Sequence, residues 1–230
     1  MFTYKYYKLL IKTLQERGYE FSSFEYYNPL KTVYLRHDVD MDIFGVLPLA
    51  EVENSSEVKS IWFFQPDNDV YNMLNRHSLG IISRLTDMGH QVGLLIDASI
   101  YQGYESLNGG IKLLFDFYKN YIPLSGVIAF YRPSPYLIGN SLLRDFISTY
   151  EDRFFNDIAY VSDNNRREFW KEEQLFEAIK AGSSIQLQIN PVWWKELLHS
   201  REAVLEYLWE KVKASVAESA LKINCKIYNN

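Results

Sequence analysis

At 230 residues, with 47% apolar and 16% aromatic side chains and no Pro/Gly/Ser-rich linker, the chain is expected to fold as one domain over residues 1–230 around a sizeable core. A formal net charge of -5 gives no broad basic surface, which sets nucleic acid aside as a partner. No uncharged run reaches the about 18 to 20 residues that span a bilayer, and a lone Cys225 excludes an internal disulfide and a cysteine-rich zinc site.

The opening MFTYKYYKLLIKTL is aromatic and mixed with lysine, unlike the basic start and apolar centre of a secretory signal. It reads as a helix near residues 3–17 that ends at Gly18, a typical C′ residue. A soluble, cytoplasmic protein is the expectation. Tyr4, Tyr6 and Tyr7 on this helix leave packing on the domain or on another subunit, as a homo-oligomer or with a protein partner, both open. Downstream, TVYLRHDV reads as a strand, IFGVLPLAEVEN as a helix, SIWFFQ as a strand, HSLGIISRLTDMG as a helix, QVGLLI as a strand and GGIKLLFDFYKN as a helix. GVIAFYR, DIAYVSD and SIQLQIN read as further strands, and WWKELLHSREAVLEYLWEKVKASVAES as one long helix. Strand followed by helix, repeated about six times, predicts an α/β protein with a mainly parallel sheet. An open doubly wound sheet and a closed barrel compete; neither the dinucleotide fingerprint nor the phosphate-loop pattern is present. In both architectures chemistry belongs at the C-terminal strand ends, where Asp38, Asp40, Gln65, Asp97, Arg132, Asp163 and Asn190 fall.

Four stretches could carry chemistry. In LRHDVDMD, Asp38 and Asp40 lie two apart on a strand and so share a face, while His37 and Val39 take the other. Paired carboxylates repel unless a cation, an arginine or a retained proton stabilises them. They suit one metal ligand and one general base, or else an acidic strand end capping the next helix. In RLTDMGHQVGLLID, His90 sits where a helix gives way to a strand, the place for a histidine bonded to backbone. In AFYRPSPY, Pro133 and Pro135 stiffen the loop after Arg132, which could aim its guanidinium at Asp38 or a substrate oxygen, or hold a salt bridge at the rim. In LQINPVWW, Trp193 and Trp194 offer flat indoles to sugar rings or to helix packing; one is assigned to packing and the other left open. His77 and His199 read as surface residues.

Taken in order, RHDVD, WFFQPDNDVYN, GHQVGLL, YRPSPY, YVSDNNRREFW and INPVWW resemble the polysaccharide deacetylase (NodB-like) family, in its branch that carries H-D-V-D. The resemblance runs from about residue 33 to residue 194. It implies a distorted (β/α) barrel of about seven strands, as in glycoside hydrolases and deacetylases, and removal of N- or O-acetyl groups from amino-sugar polymers. It implies also a divalent metal, often zinc, held by an aspartate and two histidines, with a second aspartate as base and a late histidine as acid. On this sequence the base matches Asp38 and the metal aspartate Asp40, while His37 belongs to the motif but not to the metal. The two metal histidines fall on Leu95 and Ser99, neither of which replaces an imidazole. Arg132 matches the arginine that orients the base, Asp163 the aspartate of a short S-D segment, and Asn190 stands where the branch has the acid histidine.

Two functions follow. In the first, a protein of surface-polysaccharide or amino-sugar metabolism keeps the scaffold and has lost ordinary metal catalysis. It needs no cofactor and binds a carbohydrate, or serves as a partner subunit, through Arg132, Asp163, Asn190, Trp193 and Trp194. In the second, an active N- or O-deacylase uses altered ligation of zinc or another divalent metal, with Asp38 as base and Asp40 as ligand. A metal-free hydrolase pairing Asp38 with His37 is a third reading, opposed by the strand alternation.

Overall fold

The computed structural model describes residues 2–163, 172–196, 198 and 200–221. The first helix, α1, spans Tyr4–Glu16; the Thr3 hydroxyl accepts from Tyr6 N at 3.1 Å, and Tyr7, Leu10, Ile11 and Leu14 form its buried stripe at helical spacing. Gly18, at φ 77°, takes the left-handed position that stops it. The strands are β1 Glu20–Phe21, β2 Thr32–Val39, β3 Ile61–Phe64, β4 Gln91–Asp97, β5 Leu124–Tyr131, β6 Ile147–Ser148, β7 Ala159–Ser162 and β8 Ile185–Ile189. Between and after them lie α2 Val46–Ser55, α3 Arg76–Asp87, α4 Gly103–Tyr118, α5 Asp152–Phe155, α6 Glu172–Ala181 and α7 Arg201–Val216.

Seven strands pair in the order β6-β5-β4-β3-β2-β8-β7, every pair parallel, and β1 adds a short parallel pairing to the start of β2. The sheet curls into a distorted (β/α) barrel, the architecture that the family resemblance implies. Alternation along β2 divides two environments. Val33, Leu35 and Val39 join the large cluster under the helices, whereas Tyr34 faces the interior with Phe24, Ile61, Phe63, Leu95, Val127, Ala129 and Phe154. Phe63 fits there because Gly93 beside it has no side chain; a Cβ at Gly93 would stand 2.6 Å from the Phe63 ring and 2.8 Å from the Val127 carbonyl.

The long terminal helix read from residue 193 is corrected. Pro191–Trp193 forms a single 3-10 turn, and α7 begins only after Ser200, whose hydroxyl accepts from Ala203 N at 3.1 Å. A serine cap starts the helix where helical periodicity alone could not. β1, β6 and α5, at two to four residues each, are too short to leave a periodic signal. His199, Cys225 and residues 164–170 of the YVSDNNRREFW stretch lie outside the described residues. Among the described residues no helix is long and apolar enough to cross a membrane.

Candidate functional site

The C-terminal half of β2 carries the site. Arg36 and Asp38 are both buried on its inner face, and Asp40 follows half-buried one step past the strand. Beside them β8 alternates Ile185, Leu187 and Ile189 outward with Gln186 and Gln188 inward, and Arg36 pairs in register with Gln188. One wall of the barrel is therefore polar, while Ile61, Phe63, Leu95, Val127 and Ala129 make the opposite wall apolar.

Asp38 Oδ2 accepts from Arg36 Nη2 at 3.1 Å and from Gln188 Nε2 at 2.6 Å. The Arg36 fork also donates to the Thr149 hydroxyl and, at 2.9 Å, to the Tyr150 hydroxyl. The Gln188 carbonyl oxygen accepts from Tyr160 and, at 3.1 Å, from Ser162. Burial opposes the Arg36 charge, but Asp38 and Tyr150 outweigh it and the guanidinium stays protonated. Burial pushes the Asp38 carboxyl above its ordinary value against the pull of Arg36. Asp40 is pushed to about 6, by burial first and then by the Asp38 charge. One oxygen of each carboxylate, Oδ1 of Asp38 and Oδ1 of Asp40, has no hydrogen-bond partner among the described residues.

Behind this pair lies a second acidic knot. Asp163 is 1% exposed and accepts from Asn190 N at 2.9 Å, from the Asn190 side-chain amide, and from Trp194 Nε1 at 2.8 Å. Burial lifts its carboxyl to about 7 even though these donors favour the charged form, and the Asp40 charge adds to the rise. A further link, absent from the sequence reading, joins the first motif to the last. Asp42 and Lys195 form a buried ion pair, and Lys195 Nζ also donates to the Pro191 carbonyl at 3.2 Å.

Several expected roles change. Arg132 was expected to orient Asp38; it is exposed, holds a left-handed φ of 51°, and lies with its guanidinium 4.9 Å from the Tyr131 ring centre. Arg36 does that work from two residues before Asp38, where alternation alone places it on the same face. Trp194 is fully buried between Phe2, Tyr7 and Asp163, so it packs and supports instead of meeting a sugar. Asp163 and Asn190 spend their polar groups on each other, in the core. Trp193 is half-buried under the Arg201 guanidinium, 4.6 Å from its ring centre.

His37 faces away from Asp38, as strand alternation predicts. It is stacked on Trp62 at 3.6 Å, and its Nε2 lies 2.5 Å from Glu53 Oε1 of α2. Tyr7 of α1 and Ser60 also donate to Glu53, and His90 approaches it at 3.5 Å. Burial would raise the Glu53 carboxyl, but His37, His90 and the Ser60 hydroxyl hold it below its ordinary value. Ser60 N donates to His90 Nδ1 at 3.3 Å, the junction bond expected of that histidine. His77 is exposed near the start of α3, also as expected.

The residues at this site do not fit a zinc centre of the kind the resemblance implies. Val39, Phe64 and Leu94 align across β2, β3 and β4, so Leu95 stands level with Asp40 and faces the barrel interior, where it is fully buried. Ser99 is exposed in a 3-10 turn beyond β4. Asp38 is already engaged by a guanidinium, and both described buried histidines lie on the helix side of the sheet. Among the described residues no three His, Cys, Asp or Glu side chains gather where they could hold a metal ion.

No protein-family model and no curated protein matches the sequence. Among solved structures the chain is similar to a family 4 acetyl xylan esterase from Clostridium thermocellum, solved with a cobalt ion, at 16% identity over 79% of this chain and 83% of that one, TM-score 0.43. It is similar also to the chitin deacetylase of Colletotrichum lindemuthianum, at 15% identity over 80% and 84% of the two chains, TM-score 0.48. A third is a CE4 family pseudoenzyme from Bacillus anthracis, at 13% identity over 82% of this chain, TM-score 0.45; this chain spans 63% of its length.

Proposed function

We propose that this protein is a carbohydrate-binding member of surface-polysaccharide or amino-sugar metabolism, built on a deacetylase-like barrel whose metal-dependent chemistry has been lost. The observation that carries the reading is the pair of walls at the barrel mouth. On one side Arg36 and Gln188 engage the carboxylate that would act as base, and on the other buried Leu95 stands level with Asp40. Zinc in a catalytic site takes about three protein ligands of N, S or O type, and leucine offers none. Asp40, half-buried just past β2, is the acceptor offered to sugar hydroxyl or amide groups at the mouth, with Arg132 exposed at the rim, and the unpartnered Oδ1 atoms of Asp38 and Asp40 lie buried beneath it. Asp163, Asn190 and Trp194 support that floor from the core.

The second reading, an active deacylase with an all-oxygen divalent site, is favoured by the same two unpartnered carboxylate oxygens, which suit magnesium or calcium better than zinc. Elemental analysis separates the two. Protein purified without chelator is expected to carry no stoichiometric divalent metal, and deacetylation of acetylated chromogenic and chito-oligosaccharide substrates to be absent with or without added metal. Stoichiometric metal that a chelator removes together with activity would establish the second reading instead.

A further inference from the structure

Two surface helices carry charge rows of opposite sign. On α1 the buried stripe of Tyr7, Leu10, Ile11 and Leu14 leaves the opposite face to Lys5, Lys8, Lys12 and Glu16, with Leu9 58% exposed among them. On α7 the anchors are Val204 and Leu208, and the outward face carries Glu202, Glu206, Glu210 and Lys213, flanked by Leu205 and Trp209 at 40% and 60% exposure. In chain direction the rows read Lys-Lys-Lys-Glu and Glu-Glu-Glu-Lys, each 11 residues from first to last, or about 16 Å along the helix. Only the last two members of each row pair within it, Lys12 with Glu16 at 3.5 Å and Lys213 with Glu210 at 2.8 Å. Exposed pairs of this kind are weak and readily exchanged. Lys5, Lys8 and Glu206 have no ion-pair partner among the described residues.

The start of α1 adjoins α7. The Phe2 carbonyl accepts at 2.9 Å from Lys195 N, in the segment that leads to α7, and the Phe2 ring centre lies 4.8 Å from that of Trp194. The Tyr4 hydroxyl is pushed up to about 12, by burial first and then by the charges of Asp42, Tyr207 of α7 and Glu196. A two-fold axis lying in that surface, between the two helices, sets each of them on the other helix of a second copy. Complementary rows on one chain are what such an isologous contact requires, because residue i meets residue j while j meets i. An anionic membrane would attract the α1 row and repel the α7 row beside it.

We propose that this surface is the interface of a symmetric dimer, in which the lysine row of α1 meets the glutamate row of α7 on a second copy and Leu9 is set against Leu205 and Trp209. The inference is independent of what the barrel binds. Two helix faces per copy give an area at the low end of specific interfaces, so a dissociation constant of about 1 to 100 μM is expected at low salt. Sedimentation velocity compares the wild type, Lys8→Glu/Lys12→Glu and Glu206→Lys/Glu210→Lys from about 1 to 200 μM, at about 50 mM and about 500 mM salt. The wild type should dimerise, roughly tenfold more weakly at the higher salt. Each variant alone should be monomeric, since both of its contacts then join like charges. An equimolar mixture of the two variants should dimerise again, because each contact then joins opposite charges, and so should a single chain carrying all four substitutions. A variant that had merely lost its fold would not be repaired by mixing, and far-ultraviolet dichroism checks that each keeps its helices. A wild type that stays monomeric, variants that dimerise as it does, or a mixture of folded variants that stays monomeric overturns the interface. A monomeric wild type that binds phosphatidylserine vesicles through Lys8 and Lys12 overturns it too, and gives the α1 row to a membrane surface.

Discussion

Arg36 and Asp38 have side chains 0% and 6% exposed, so neither charge can be stabilised by water. Their pairing is what makes both tolerable on the inner face of one strand. Arg36→Met leaves a buried carboxylate without its cation and is expected to cost about 3 to 5 kcal/mol in urea unfolding, whereas Arg36→Met with Asp38→Leu recovers much of that loss. A single variant as stable as the wild type would mean that the pair is not buried as described. Asp163 gives a pH dependence. Its carboxyl titrates at about 7 folded against an ordinary 3.8, so the folded state holds the proton more tightly. Its contribution to stability is therefore full below about pH 4 and declines as the pH rises to about 7. Asp163→Asn removes that decline; the stability difference between variant and wild type should shift in favour of the variant across this window and level off above it.

At the scale of elements, two buried ionic links hold the layers in place. Glu53 on α2 collects Tyr7 from α1, His37 from β2 and Ser60 ahead of β3. Glu53→Leu would leave these groups buried with no acceptor, an expected loss of more than about 3 kcal/mol. The Asp42–Lys195 pair binds the turn after β2 to the segment after β8, and Gly45 is the residue that makes room for it. A Cβ there would come 2.6 Å from Asp42 Oδ2, 2.8 Å from Lys195 Nζ and 2.9 Å from the Pro191 carbonyl. Gly45→Ala is expected to destabilise by about 1 to 3 kcal/mol, since one neighbour is backbone and cannot swing aside.

For the whole molecule the decisive test is to rebuild what the barrel lacks. Leu95 faces inward level with Asp40, and Ser99 follows in the 3-10 turn just past β4. Leu95→His with Ser99→His would supply two imidazoles to join Asp40. The variant is expected to bind zinc at one ion per chain and to melt at a higher temperature when zinc is present, while the wild type melts at the same temperature with zinc or chelator. A variant indifferent to zinc would show that these positions do not converge.

Much of this architecture was legible in the chain itself. Apolar runs such as TVYLRHDV and SIQLQIN, and a period of 3.6 in the segments between, gave parallel strands joined by helices, because the surroundings of each face leave their mark in the local pattern. The same alternation set Asp38 with Asp40 and opposite His37, and it could have placed Arg36 and Gln188 inside as well. What the chain alone left undecided was the pairing across distance. Whether Arg132 reached Asp38 turned on how the loop after β5 lies against the end of β2. Whether Trp194 met a sugar or the core turned on Asp163, 31 residues away, offering its nitrogen an acceptor. Local sequence fixes a side chain's face through backbone geometry, but only the curled sheet brings distant polar groups close enough for burial to force their pairing.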